Sequence, residues 1–303
     1  MGDRQRTLKE KVYISGKGLH TGKQVNITFH PAEIDHGISF QRSDLENNPI
    51  IKVIAYNVYD TSRGTSIREN GAEVKTIEHM MAAIVALKID NLLIEIDCDE
   101  VPILDGSAIL YLKEFEKAGT IEQEKDKNYL IINKELNYSY KKKKVEMIAK
   151  PADHFRINVM VDYNTKVLGV QHAELNYLNN FYEEIAPCRT FAFLHELKPL
   201  IKAGLIKGGD LKNAIIYVDE LLSKEDTEEL SNFFNNPKID VLEEGILNNL
   251  ELRFSNEAAR HKLLDVVGDL ALIGRPIKGH IVAKHPGHST NVEFAKFLLE
   301  NND

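Results

Sequence analysis

Apolar and polar positions alternate at period two early in the chain, then switch to helical spacing and back. Residues 24–30 (QVNITFH) and 37–41 place β-formers between Gly, Pro and Asp breakers and predict strands. Residues 75–87 predict a helix, with Ile77, Met81, Ile84 and Val85 at helical spacing and Thr76 as N-cap. Residues 91–96 (NLLIEI) return to a strand, and an Asp105-Gly106-Ser107 turn leads into a helix over 108–117. The charged run 122–127 (EQEKDK) reads as a solvated loop or a linker. Strands then restart at 128–133, 144–149 and 156–162, a long helix fits 251–273, and a final helix fits 291–299.

Each half therefore runs strands first and helices after. That order predicts an α+β fold of two domains, 1–124 and 125–303, each a mostly antiparallel sheet packed against helices. Two stretches in the second half look inserted. Residues 185–219 carry a short helix, Gly204, Gly208-Gly209 and a strand-like 214–218, a small βαβ-like insert near 190–220. Residues 221–249 are polar, acidic and Asn-rich, and read as surface.

Composition narrows the function classes. Of the 303 residues, 43% are hydrophobic and 28% charged, a globular balance with enough apolar surface to form cores. A net charge of -8 argues against a nucleic-acid partner. Cys98 and Cys188 stand far apart, too thin a framework for a disulfide-stapled secreted fold. No apolar leader or 18-residue apolar run is present, so the expected compartment is the cytoplasm.

The densest candidate chemistry lies on the helix over 251–273. His261, Asp265 and Asp269 recur every four residues and share one face among Leu263, Leu264, Val266, Val267 and Leu270. Polar groups on so apolar a helix need partners, and a divalent metal is one. A His–Asp hydrogen bond, or ion pairs with Arg253 or Arg260, would serve as well, and the spacing alone leaves this open. Glu78-His79 opens the first confident helix and offers a ligand beside a general base. It is not the HExxH helix of metalloproteases, because Met80-Met81-Ala82-Ala83 follows. His79, His261 and Asp265 together would make three ligands and leave a fourth position open, the catalytic rather than structural pattern.

Other histidines weigh less. His288, in Lys284-His285-Pro286-Gly287-His288-Ser289, is a general acid or an ordinary loop residue. His154, His172 and His195 read as surface. Gly16-Lys17-Gly18-Leu19-His20-Thr21-Gly22 lacks the phosphate-loop Lys-Ser/Thr and reads as a turn. The Lys141-Lys142-Lys143-Lys144 run is the one dense basic patch.

Several motifs, in order along nearly the whole chain, resemble the UDP-3-O-acyl-N-acetylglucosamine deacetylase family. They are Gly18-Leu19-His20-Thr21-Gly22, Thr76-Ile77-Glu78-His79, Pro102-Ile103-Leu104-Asp105-Gly106-Ser107, Arg189-Thr190-Phe191-Ala192-Phe193, Gly208-Gly209, Arg260-His261-Lys262-Leu263-Leu264-Asp265-Val266-Val267-Gly268-Asp269 and Gly287-His288. The resemblance implies Zn²⁺ on His79, His261 and Asp265, with Glu78 as the base for the attacking water. It implies that Thr190 stabilises the oxyanion, and that His288 protonates the leaving amine with Asp269 behind it. It implies substrate contacts by Lys262, His20, Gly208, Phe191, Phe193 and Tyr163, with Tyr163 where a uracil-stacking Phe is expected. Lys144 is the diphosphate candidate. Leu194, Leu197, Ile201, Leu205 and Ile206, with Leu200, would line an acyl passage, or else form the insert's core.

The implied reaction releases acetate from UDP-3-O-acyl-N-acetylglucosamine, the committed step of lipid A and lipopolysaccharide biosynthesis. The implied protein is a monomer with at most peripheral membrane contact. Residues 221–249 look longer than the family's usual connection, and Gly64 stands where some members place a polarisable side chain. Some members continue into a hydroxyacyl-carrier-protein dehydratase, so this chain could be half of a longer one. The alternatives are a zinc amidohydrolase for another N-acyl sugar and a non-catalytic protein that kept the fold.

Overall fold

The structure is a computed structural model that describes residues 3–219, 222–236, 238–241, 245–248 and 250–302. Leu221 and Asn249, the ends of the second inserted stretch, lie outside the described residues. The fold is α+β, as the element order predicted. Two five-stranded sheets carry it. The first runs Val12–Lys17, Gln24–Pro31, Leu92–Ile96, Ile38–Arg42, Ile50–Lys52. The second runs Leu136–Tyr140, Val145–Lys150, His280–Lys284, Arg156–Asp162, Val170–Leu175.

Both sheets share one plan. A hairpin pairs with the sheet's last strand in sequence, that strand runs parallel to the next neighbour, and an antiparallel strand closes the edge. The two halves thus repeat one architecture without repeating sequence. Inward positions of Gln24–Pro31 (Val25, Ile27, Phe29) and of Arg156–Asp162 (Ile157, Val159, Val161) are buried, the period-two signature of a half-covered sheet.

Seven helices lie among the described residues: α1 Glu78–Ala86, α2 Ile109–Ala118, α3 Phe181–Glu184, α4 Leu194–Lys202, α5 Lys224–Phe233, α6 Glu257–Leu270 and α7 His288–Asn301. α6 packs on Arg156–Asp162 and Val170–Leu175 with one side, and on α1 and α7 with others. Leu263 to Leu270 are all buried, which explains why this helix is apolar on most sides. One continuous core passes from the first sheet through α1 and α6 into the second.

Four expectations need correction. Thr76 is not the N-cap of α1. Its backbone is left-handed (φ 60°), its hydroxyl donates to Glu100 Oε1 at 3.3 Å, and Ile77 takes the cap position. The charged run 122–127 is largely strand. Thr120–Asp126 pairs antiparallel with Arg4–Leu8, which buries Gln5, Thr7 and Leu8, and the run's charges pair with Arg4, Arg6, Asp35 and Asp90 rather than marking a loop. The strand expected at 128–133 shrinks to Leu130–Ile131. α6 begins at Glu257 rather than 251, because the Glu257 carboxylate accepts the Arg189 and Arg253 backbone N–H groups and holds the preceding segment as a loop.

The insert is βαβ-like, as expected. Phe191–Phe193 and Ile215–Tyr217 pair in parallel across α4. α5 lies within the polar stretch and starts with a Ser223–Asp226 capping box.

The contact between α1 and α6 has no room for a side chain at Gly268. A Cβ there would lie 2.0 Å from the Glu78 carbonyl oxygen and 2.8 Å from its carbon. Backbone cannot yield as a flexible side chain can, so Gly268→Ala should push the helices apart. Overpacking of this kind costs about 1–3 kcal/mol. We expect the melting temperature to fall by roughly 3–10 °C in a thermal melt; an unchanged melt would show that the helices are not in close contact there.

Candidate metal centre and active site

α1 and α6 bring together residues 182 positions apart, since His79 starts one helix and His261 lies on the other. The ligand atoms of His79, His261 and Asp265 all lie within 4.8 Å of one another. Both imidazole Nε2 atoms turn toward one oxygen, Asp265 Oδ1, at 3.6 Å from His79 and 3.4 Å from His261. His261 is oriented from behind: its Nδ1–H donates to the Cys188 carbonyl at 3.1 Å, which leaves Nε2 as the free lone pair.

The site is buried, with Asp265 only 1% exposed. Its Oδ2 accepts from Lys262 Nζ at 2.7 Å, but its Oδ1 is buried with no hydrogen-bond partner. A buried carboxylate oxygen without a partner is costly. A cation between it and two imidazole nitrogens removes that cost, and two His with one Asp is a donor set suited to a divalent metal. The residues present therefore fit a metal.

Electrostatics agree with this. Burial pushes the His261 pKa down to about 3, so the ring stays neutral and its lone pair available. Burial works against the Asp265 anion, yet the charges of Lys262 and His288 more than offset it and hold the pKa well below the usual range. Burial likewise presses on Lys262, and Asp265 overcomes it, so the amine remains an ammonium.

Two proton-handling groups flank the triad. Glu78 is buried, and its Oε2 accepts the Thr65 backbone N–H at 2.8 Å. Burial raises its pKa above the ordinary carboxyl value. His288 Nδ1–H donates to Asp269 Oδ2 at 3.0 Å, and its Nε2 lies 3.9 Å from Asp265 Oδ2. Burial disfavours the charged ring, but Asp269 and Asp265 outweigh that and push the pKa up to about 9. His288 is thus an imidazolium at neutral pH, able to give a proton. Asp269 is fully buried and also accepts from Asn291 Nδ2 at 2.8 Å.

The remaining candidates surround this centre to different degrees. Thr190 is half-buried; its N–H donates to the Gly106 carbonyl at 2.8 Å, and its carbonyl accepts from Ile215. The Phe191 ring lies 6.2 Å from His261 and 5.6 Å from Tyr163, and Phe193 is 5.2 Å from Tyr163. Lys262 Nζ lies 5.6 Å from the Phe191 ring centre. A cavity of about 390 Å³ opens beside His288, lined also by Val161 and Tyr163. Another, about 350 Å³, is lined by Met81, Ile84, Val85, Val267 and Leu270 and touches none of the polar groups described above.

Gly208 donates its N–H to the Leu19 carbonyl at 2.9 Å, and a Cβ there would meet the Gly18 carbonyl at 2.2 Å, so the insert rests directly on the first half. His20 lies at that contact, with both ring nitrogens buried and without partners. Leu194, Leu197, Leu200 and Ile206 pack with Ile216, Val218 and Leu230 as the insert's own core, with Ile201 at its margin. Leu205 stands apart, 38% exposed. Lys144 sits in an exposed turn beside Val145, which lines the cavity next to His288. His154, His172 and His195 are exposed.

Sequence reasoning missed Thr65, Asn291 and Glu257. Glu257 is fully buried and pairs with Arg189, Oε1 to Nε at 2.9 Å, which ties the Phe191–Phe193 strand to the start of α6. A charged residue in the first turn of an apolar helix was the available signal.

Fold and site define a class: an α+β protein with a two-histidine, one-carboxylate cluster at a helix–helix contact, with a buried carboxyl and a further histidine beside it. The family model described as UDP-3-O-acyl N-acetylglycosamine deacetylase matches residues 5–239 and 235–300. The chain belongs to that family. It is 46% identical over 293 residues to the bifunctional enzyme LpxC/FabZ of Bacteroides thetaiotaomicron, covering 97% of this chain and 64% of that protein. The LpxC/FabZ of Porphyromonas gingivalis is 46% identical over 295 residues, covering 97% of this chain and 64% of its own length. The UDP-3-O-acyl-N-acetylglucosamine deacetylase of Syntrophotalea carbinolica is 39% identical over 300 residues, covering 99% of this chain and 89% of that protein. The chain thus spans less than two thirds of the length of the two bifunctional relatives. No helix among the described residues is long and apolar enough to cross a membrane.

His261→Ala removes one of three donors and the link to Cys188. Bound metal, measured by elemental analysis after dialysis, should fall well below one equivalent per chain while the fold persists; full occupancy would remove His261 from the ligand set.

Proposed function

We propose that this chain hydrolyses the N-acetyl group of UDP-3-O-acyl-N-acetylglucosamine, releasing acetate and UDP-3-O-acyl-glucosamine for lipid A biosynthesis. The observation that carries the reading is a buried carboxyl, Glu78, and a buried imidazole, His288, both held by Thr65 beside a His–His–Asp triad. Amide hydrolysis needs a base for water, a polarised carbonyl and an acid for the departing amine. His79, His261 and Asp265 would hold a Zn²⁺ ion, which would supply the Lewis acidity to polarise the carbonyl and acidify water.

The chain's own residues do the rest. Glu78 takes a proton from the attacking water, and its raised pKa brings it closer to the working pH. The Thr190 hydroxyl steadies the developing oxyanion. His288 gives its proton to the amine, and Asp269 holds the ring's tautomer and charge. Lys262 keeps Asp265 ionised and faces the sugar-nucleotide. Tyr163, which lines the cavity beside His288, stacks the uracil, and Phe191 and Phe193, packed against Tyr163, border the sugar. His20 and Gly208 contact the substrate at the seam between insert and first half, and Lys144 meets the diphosphate. The acyl chain follows the insert past Leu205, Ile201 and Ile206, with Leu194 and Leu197 behind them.

Residues 1–124 supply Glu78 and His79, and residues 125–303 supply His261, Asp265 and His288, so the reaction needs both halves. The protein works as a cytoplasmic monomer that meets the membrane only through its lipid substrate.

Glu78→Gln keeps the shape and the Thr65 contact but not the base. Acetate release should drop by about 10²–10⁴-fold with metal content unchanged. Turnover near that of the parent protein would exclude Glu78 as the base.

A further inference from the structure

Glu78 and His288 lie 210 positions apart, and hydrolysis needs them in fixed register. One residue touches the supports of both. Thr65 is fully buried in the turn between the strands Val58–Asp60 and Ser66–Glu69. Its backbone N–H donates to Glu78 Oε2 at 2.8 Å. Its carbonyl accepts the Ile77 N–H at 3.2 Å, at the start of α1. Its hydroxyl donates to Asp269 Oδ1 at 2.5 Å and lies 3.5 Å from His288 Nδ1.

Asp269 then has no freedom left. Oδ1 takes Thr65, and Oδ2 takes His288 and Asn291. The turn fits closely over Glu78 because position 64 has no side chain: a Cβ on Gly64 would lie 2.8 Å from Glu78 Oε1. Thr65 therefore reaches the base through its backbone and the acid's partner through its side chain. A residue needed only to close a turn would not require a hydroxyl aimed at a buried carboxylate 204 positions away.

We propose that Thr65 is a positioning residue that holds the base Glu78 and the acid His288 in register through Asp269. The proposal rests on the deacetylase reading. Its hydroxyl acts through Asp269, so its loss loosens the His288 ring without touching the triad or the substrate. A hydrogen bond to a buried charged group is strong, and its removal leaves one Asp269 oxygen unsatisfied.

The test compares Thr65→Val, which keeps the shape but not the hydroxyl, with Thr65→Ser, which keeps the hydroxyl. Acetate release from UDP-3-O-acyl-N-acetylglucosamine is read as kcat and KM, beside metal content and melting temperature. For Thr65→Val we expect kcat to fall about 10–100-fold with KM within about twofold, and metal content unchanged. Thr65→Ser should recover most of kcat. In an Asp269→Asn background the Thr65→Val effect should shrink, because both changes break the same link. Should Thr65→Val not fold, Thr65→Ala, which keeps the amide contact to Glu78, is read by the same criteria. Parent-like kcat in Thr65→Val, equal losses in Val and Ser, or a loss confined to KM or metal content would overturn the proposal. A parent protein that releases no acetate fails the deacetylase reading itself, and the proposal falls with it.

Discussion

Everything at the site depends on how closely α1 approaches α6. Gly268 sets that distance, since only a missing side chain lets the Glu78 backbone sit against the helix. At this separation His79 on one helix and His261 and Asp265 on the other share one oxygen-centred cluster. Each half alone offers an incomplete set, either Glu78 and His79 or His261, Asp265 and His288. The contact is thus the geometric condition for the centre as well as part of the continuous core.

The same contact buries several charges, which is costly unless they satisfy each other. They do so in a chain. Lys262 pairs with Asp265, Asp265 faces both imidazoles, and Asp269 pairs with His288, Asn291 and Thr65. Opposed environments set the roles apart. Burial alone dominates at His261 and keeps it neutral, while paired carboxylates dominate at His288 and keep it charged. Two histidines of one chain are thus pushed in opposite directions, as the metal donor and the proton donor of the proposed reaction would have to be. The unpartnered Asp265 Oδ1 is the gap in this network, and it faces the donors a metal would join.

Much of this was legible in sequence because it rests on local periodicity. The stripe of His261, Asp265 and Asp269 on an apolar helix announced buried polar groups, and the strand-then-helix order announced α+β. What escaped was long-range or backbone-driven. Thr65 sits in a short turn with no periodic signal, and its partner Asp269 is 204 residues away. Thr76 looked like a cap by residue type, but Glu100 takes its hydroxyl and its backbone is left-handed. The charged run at 122–127 looked like a linker because its strand, with no buried position, lacks the alternation that marks a half-buried sheet strand. The insert's leucines carry either reading in sequence, and in the fold most of them serve its own small core.

The most direct test of the account is acetate release from UDP-3-O-acyl-N-acetylglucosamine before chelation, after chelation, and after Zn²⁺ is restored. The account predicts release that chelation abolishes and zinc recovers. Release that persists in fully metal-stripped protein, or none from folded zinc-loaded protein, would contradict it.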